Sequence, residues 1–272
     1  MKKVIKNYPN ASRFVLAILL FVVALALSLF INVGVVKQYF PYTTPILLFI
    51  ATWFLYKGEG KTLKTIGLNF SLRNLLFLPL GVLIGAFAFF GAKYLRALLV
   101  GETFELSVSI DYSTLLYAFY FILPQVATEE LLFRGYLFKK TIEVSNVVIA
   151  NVIFSILFTL IHVLDEGVLS NLGMIVMLSV SIPVGHLLFA TGLLKSKTLY
   201  FPIGLHLGNN WATRHLISSD ISGESIFFIP NTVMFDTWTP FISMLMLFNG
   251  FYLLVTFLIW KWNVLLFFRS KT

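Results

Sequence analysis

Apolar residues in this chain run in blocks too long for the alternation of a half-buried strand or the one-sided stripe of a soluble helix. Eight blocks stand out: Phe14–Val36, Phe40–Tyr56, Asn74–Leu99, Thr114–Phe138, Val144–Leu164, Leu169–Leu194, Leu199–Ile217 and Pro240–Trp260. A helix rises about 1.5 Å per residue, so about 20 apolar residues cross a hydrocarbon core roughly 30 Å thick. The pattern predicts an all-α, polytopic membrane protein of about eight transmembrane helices, forming one transmembrane domain over residues 1–272. The second block is short and holds Pro45, which suggests a tilted or interfacial path. The fourth is interrupted by Glu129, Glu130 and Arg134, the seventh by His206, Asn209 and Asn210. The first is too long for the apolar region of a cleaved signal, although Ala24-Leu25-Ala26 resembles a cleavage site.

Composition agrees. Of 272 residues, 58% are apolar and only 12% charged, with a mean hydropathy of +0.90. Soluble domains carry about 25% charged residues. A soluble enzyme, a disordered chain and a collagen-like fibre are excluded. The absence of cysteine removes disulfides, thiolate metal sites and a cysteine nucleophile. The net charge of +8 does not point to nucleic acid, because the basic residues punctuate the apolar blocks rather than forming a stripe.

With eight spans and a cytoplasmic N-terminus, 16 of the 20 Lys and Arg residues fall on inside segments. Lys37, Lys93, Arg96 and Arg214 remain outside. Lys and Arg bias sets orientation, so both termini are expected in the cytoplasm. The basic stretch Gly58–Arg73, with Leu63, Ile66, Leu68 and Phe70 interleaved, reads as an interfacial connector on lipid head groups. The pairs Gly81/Gly85 and Gly204/Gly208 have the small-xxx-small spacing that lets helices approach closely.

Ionisable groups inside a span cost roughly 2.5–3.5 kcal/mol each on insertion scales, so those present need a reason. Glu130 and Arg134 stand i,i+4 on one helix face, a spacing that suits an ion pair. Glu129 is rotated about 100° from Glu130 and is left free to act. A purely structural triad fits the same spacing. His162 closes Phe158-Thr159-Leu160-Ile161-His162 at the end of the fifth span. His206 and Asn210 again stand i,i+4, with Asn209 able to share their face. His186 and His215 show no such partners and read as packing and interface residues. If the three spans converge on a shared polar cavity, they supply a carboxylate base, imidazoles and amide donors, the parts needed to activate water against an amide.

These residues resemble the CAAX-protease and bacteriocin-processing family, also called Abi or type II CAAX prenyl endopeptidases. The family pattern is Glu-Glu-x-x-x-Arg, Phe-x-x-x-His and His-x-x-x-Asn/Asp on separate spans. Here it reads Glu129-Glu130-Leu131-Leu132-Phe133-Arg134, Phe158 to His162 and His206 to Asn210, with Pro202-Ile203 ahead of the last motif. The similarity covers about Leu115 to Asn210. It implies an integral-membrane endopeptidase, in a bacterial plasma membrane, acting on peptides or membrane-anchored proteins in the bilayer. By the resemblance Glu129 activates water with His162, His206 and Asn210 stabilise the oxyanion, and Glu130–Arg134 is the structural pair. A metal-free glutamate mechanism is favoured, with no cofactor. A zinc or other divalent ion on Glu129, His162 and His206 stays open, although there is no His-Glu-x-x-His helix.

Two other classes fit the hydropathy. One is a non-catalytic membrane regulator or scaffold, which would have no need of Glu129 beside a satisfied Glu130–Arg134 pair. The other is a proton-coupled transporter, which the lack of a repeated half disfavours. Straight-helix counting puts Glu129 slightly inward of the bilayer middle and His162 roughly 10 Å outward. Convergence then requires tilted or broken helices around water.

Overall fold

A computed structural model describes residues 9–218 and 224–262. Lys2, Lys3, Lys6, Arg269 and Lys271, which enter the charge bias, lie outside the described residues, as do both ends of the chain. Among the described residues each apolar block holds one principal helix: α1 Pro9–Ile31, α3 Thr43–Gly58, α4 Leu72–Val100, α5 Tyr112–Phe133, α7 Val147–Val163, α9 Leu172–Ser196, α10 Tyr200–Trp211 and α11 Trp238–Lys261. Between them lie the short α2 (Gly34–Tyr39), α6 (Tyr136–Val144) and α8 (Glu166–Leu169). Four helices, α1, α4, α9 and α11, are long and apolar enough to cross a membrane, and α7 is a shorter apolar helix of 17 residues.

Polar residues start the helices where the sequence provides them. Ser71, Asp111, Asn146 and Asn171 each accept a hydrogen bond from a backbone N–H in the first turn of α4, α5, α7 and α9. The fourth block is not one helix. It breaks after Phe133 at Arg134 and Gly135, and Phe138 belongs to the separate α6. A Cβ on Gly135 would lie 2.2 Å from the Leu131 carbonyl oxygen, so the turn admits only glycine.

The connector ahead of α4 and the amphipathic α6 are tied together. Tyr136 Oη donates to Glu59 at 2.6 Å, Lys140 and Lys61 pair with the same carboxylate at 2.9 and 3.1 Å, and Lys61 reaches Glu143 at 2.9 Å. These contacts fix the chain that follows Arg134 against the connector.

The small-residue pairs behave as their spacing predicts. A Cβ on Gly81 would lie 2.6 Å from the Phe201 oxygen, on Gly85 2.0 Å from that of Leu205, on Gly204 2.2 Å from that of Leu78 and on Gly208 2.0 Å from that of Val82. The backbones of α4 and α10 thus touch, pressing the helix that carries His206 and Asn210 into the interior. Trp211 Nε1 donates to the Leu115 carbonyl at 2.9 Å and pins the end of α10 to α5.

α10 continues as a π-helical turn over Ala212–Leu216 and then enters a three-stranded sheet that hydropathy does not reveal. Its two-residue strands are β1 Glu105–Leu106, β2 Ile217–Ser218 and β3 Phe227–Phe228. The order is β1-β3-β2, with β1/β3 antiparallel and β2/β3 parallel.

Candidate active site

A cavity of about 610 Å³ lies between α4, α5, α7, α9, α10 and α11. One wall is polar, formed by Gln125, Glu129, His162, His206, Asn209 and Asn210, while Leu178, Ile182, Leu245 and Phe248 are among the apolar groups facing it. The three motifs, distant in sequence, share this one space. Glu129 on α5 and His162 on α7, which straight counting sets apart in depth, both line it.

Beneath the polar wall sits the buried ion pair. Glu130 and Arg134 have no exposed surface, and their side chains meet at 2.7 Å. The same Glu130 oxygen accepts a 2.8 Å hydrogen bond from His206 Nδ1. His186, read from sequence as packing, is a correction: Arg134 Nη2 donates to its Nδ1 at 3.0 Å, and the ring is fully buried. Nothing in the sequence links residues 52 positions apart on different helices. The guanidinium also lies 4.4 Å over the Phe158 ring and 5.1 Å over that of Phe189. Phe189 in turn stacks on His206, with centroids 4.6 Å apart and planes 14° from parallel. Phe158, the first residue of its motif, thus covers Arg134 and meets the edge of His162 at 4.7 Å.

On the cavity side, Glu129 Oε2 lies 3.6 Å from His206 Nε2. That oxygen is buried and has no hydrogen-bond partner among the described residues. Glu129 Oε1 accepts from Gln125 Nε2 at 3.1 Å, one helical turn earlier. Gln125 Oε1 accepts from Arg214 at 3.2 Å, which settles which end of the amide faces the carboxylate. Gln125 is a site residue that sequence reading passes over. Its i,i+4 spacing to Glu129 is the signal that could have found it.

With Nδ1–H given to Glu130, a neutral His206 turns the Nε2 lone pair toward Glu129. Two acceptors 3.6 Å apart then share a proton or a common donor. His162 lines the same cavity, but the imidazole in ion-pair range of Glu129 is that of His206. His162 Nδ1 is 2.8 Å from the Phe158 carbonyl, so it is the protonated nitrogen and Nε2 is the basic one. Asn209 Nδ2 donates to Asn210 Oδ1 at 3.3 Å, and Tyr252 Oη donates to Asn209 Oδ1. Asn210, which lines the cavity, thus has its side-chain oxygen occupied by Asn209.

Glu129 and His206 offer two donor atoms, but among the described residues no three His, Asp or Glu side chains group to hold an ion.

No curated protein and no solved structure matches the chain. A match does come from a family model described as type II CAAX prenyl endopeptidase Rce1-like, over residues 111–212. That segment runs from the N-cap of α5 to the end of α10 and carries all three motifs around the cavity. By this match, residues 111–212 are similar to the Rce1-like type II CAAX prenyl endopeptidases, the group that the motifs resemble.

Proposed function

We propose that the chain is an intramembrane endopeptidase that hydrolyses peptide bonds of membrane-anchored or hydrophobic peptide substrates with a glutamate-activated water. The observation that carries this reading is Glu129 Oε2, a buried acceptor without a hydrogen-bond partner among the described residues. It lies 3.6 Å from an imidazole nitrogen on the polar wall of an otherwise largely apolar cavity. A carboxylate so placed serves as a general base.

Glu129 takes a proton from water, and the hydroxide attacks the scissile carbonyl carbon. The carbon–oxygen π pair moves to the oxygen, which Asn210 and His206 stabilise by hydrogen bonds, His206 donating from Nε2 the proton that it shares with Glu129 at rest and retains through the cycle. Collapse of the tetrahedral species expels the amine, which receives the proton held by Glu129 and shuttled through His162. Glu130, itself paired with Arg134, holds His206 by its Nδ1, and neither member of the pair touches a reacting atom. No step is routed through a metal ion.

In this reading all eight principal helices lie in the bilayer, with both termini cytoplasmic. The cavity lining includes Lys93 and Arg96 near the end of α4, and Thr213 and Arg214 beyond α10. On that orientation it opens toward the non-cytoplasmic face.

The test compares membrane peptides from cells carrying wild-type protein and Glu129→Gln, followed by purified protein in lipid nanodiscs with the peptides that differ. Cleavage is expected in the wild type and absent in the variant, which inserts normally. Equal cleavage by both would remove Glu129 as the base.

A further inference from the structure

A second cavity of about 510 Å³ adjoins the first between α9, α11 and the segment 232–237, and Arg96, Met177, Thr232 and Met244 line both. Four of the six methionines in the sequence, Met174, Met177, Met234 and Met244, line it. Leu, Ile or Val would make a fixed core wall. Methionine is unbranched and polarisable, and it refits to differing shapes at low cost, which suits surfaces that accept varied apolar partners.

The outer wall is held in place. Arg96 and Glu102 form a buried ion pair, Arg96 Nη2 donates to the Val233 carbonyl at 2.8 Å, and the Val233 N–H donates to Glu102 at 2.9 Å. Both backbone groups of Val233 are thus caught, as a neighbouring strand would catch them. The segment is a fixed strap over the cavity. Asn171, Thr232 and Asp236 add hydrogen-bonding groups to the lining. An extended peptide backbone uses such groups and a lipid chain does not.

We propose that this methionine-lined cavity is a peptide subsite: it holds an apolar stretch of substrate beside the scissile bond, while the bond itself lies between Glu129 and Asn210. The identity of the occupant rests on the protease reading. The pliable wall then makes selection broad for size among apolar side chains and poor for charged ones.

The test uses the full chain in nanodiscs and internally quenched decapeptides that differ only at flanking positions, bearing leucine, phenylalanine or aspartate. Met177→Trp narrows the passage and is expected to raise KM for the leucine and phenylalanine peptides about tenfold or more, the scale of losing apolar contacts in a pocket. Met244→Ala widens it and is expected to shift preference toward phenylalanine, which keeps the test alive if the tryptophan variant fails to fold. Unchanged leucine, phenylalanine and aspartate ratios in the folded variants would overturn the subsite.

A binding arm is independent of hydrolysis. A leucine decapeptide carrying a diazirine is photolysed with the Glu129→Gln protein, and labelled residues are mapped by mass spectrometry. Label on residues 174–177 and 234–244, displaced by excess unlabelled peptide, supports the subsite even if the wild type cleaves none of these peptides, an outcome that would count against the protease reading alone. Label elsewhere overturns the subsite. So does labelling of the same residues by a diazirine phospholipid that peptide does not displace, since the cavity would then hold a lipid chain.

Discussion

Arg134→Met isolates the charge balance under the site. Glu130 and Arg134 are both fully buried and paired at 2.7 Å, so the substitution strands a carboxylate whose other oxygen already lacks a hydrogen-bond partner among the described residues. Breaking a buried pair from one side costs about 3–5 kcal/mol, because an uncompensated charge is left behind. Replacing both partners, as Glu130→Leu with Arg134→Met, removes that charge, and such double replacements are often near neutral. What remains is the lost acceptor for His206 Nδ1, now 2.8 Å from the carboxylate, and an unsatisfied buried donor costs about 1–3 kcal/mol. The single variant is therefore expected to be the less stable of the two by roughly 2 kcal/mol. Denaturant titration of purified protein in detergent, followed by tryptophan fluorescence, measures the order. A double variant as unstable as the single, or worse, would refute the reasoning, since the pair would then be held for packing rather than for charge. Hydrolysis is expected to stay lost in the stable double variant, because His206 has been released from Glu130.

Two further outcomes follow from neighbouring contacts. Gln125→Leu removes the 3.1 Å hydrogen bond to Glu129 and frees Arg214, and is expected to lower kcat by about 10- to 100-fold with little change in KM, whereas Gln125→Asn, too short to reach, gives the same loss; steady-state kinetics on a cleaved peptide would show an unaltered kcat if the amide does not position the base. Burial alone would raise the Glu59 carboxyl, but hydrogen bonds from Tyr136, Lys140 and Lys61 outweigh it and hold the group at about 2, below its ordinary 4.5. A depressed carboxyl stabilises the fold above its unfolded value and loses that contribution as pH falls through the folded one. Glu59→Gln should therefore melt below wild type at pH 7, the gap closing between about pH 4.5 and 2; a gap independent of pH would show that Glu59 contributes no charge-dependent stability.

The relations legible in the sequence are those confined to one helix. Eight apolar blocks mark eight principal helices, and the i,i+4 spacing brings Glu130 onto Arg134 and sets His206 and Asn210 on one cavity wall. The paired glycines announced a close helix contact without saying with which helix. The fourth block misled because hydropathy does not register a turn. Leu132, Phe133, Tyr136, Leu137 and Phe138 read as one run, while Gly135 and the buried Arg134 end the helix between them. Gln125 went unread because a lone amide in an apolar run has no pattern of its own.

The amino-acid order alone indicated that this chain lives in a membrane, that its carboxylates and imidazoles sit on otherwise apolar helices, and that Glu130, unlike Glu129, stands one helical turn from an arginine. Helical periodicity carries that information, since side chains within a turn of one another have fixed relative directions. Only the packing of helices decided that His206 lies within ion-pair range of Glu129, that His186 meets Arg134, and that four methionines gather behind one strap. Those contacts depend on the depth, tilt and crossing of separate helices, set by glycine contacts and backbone breaks that join residues far apart in the chain.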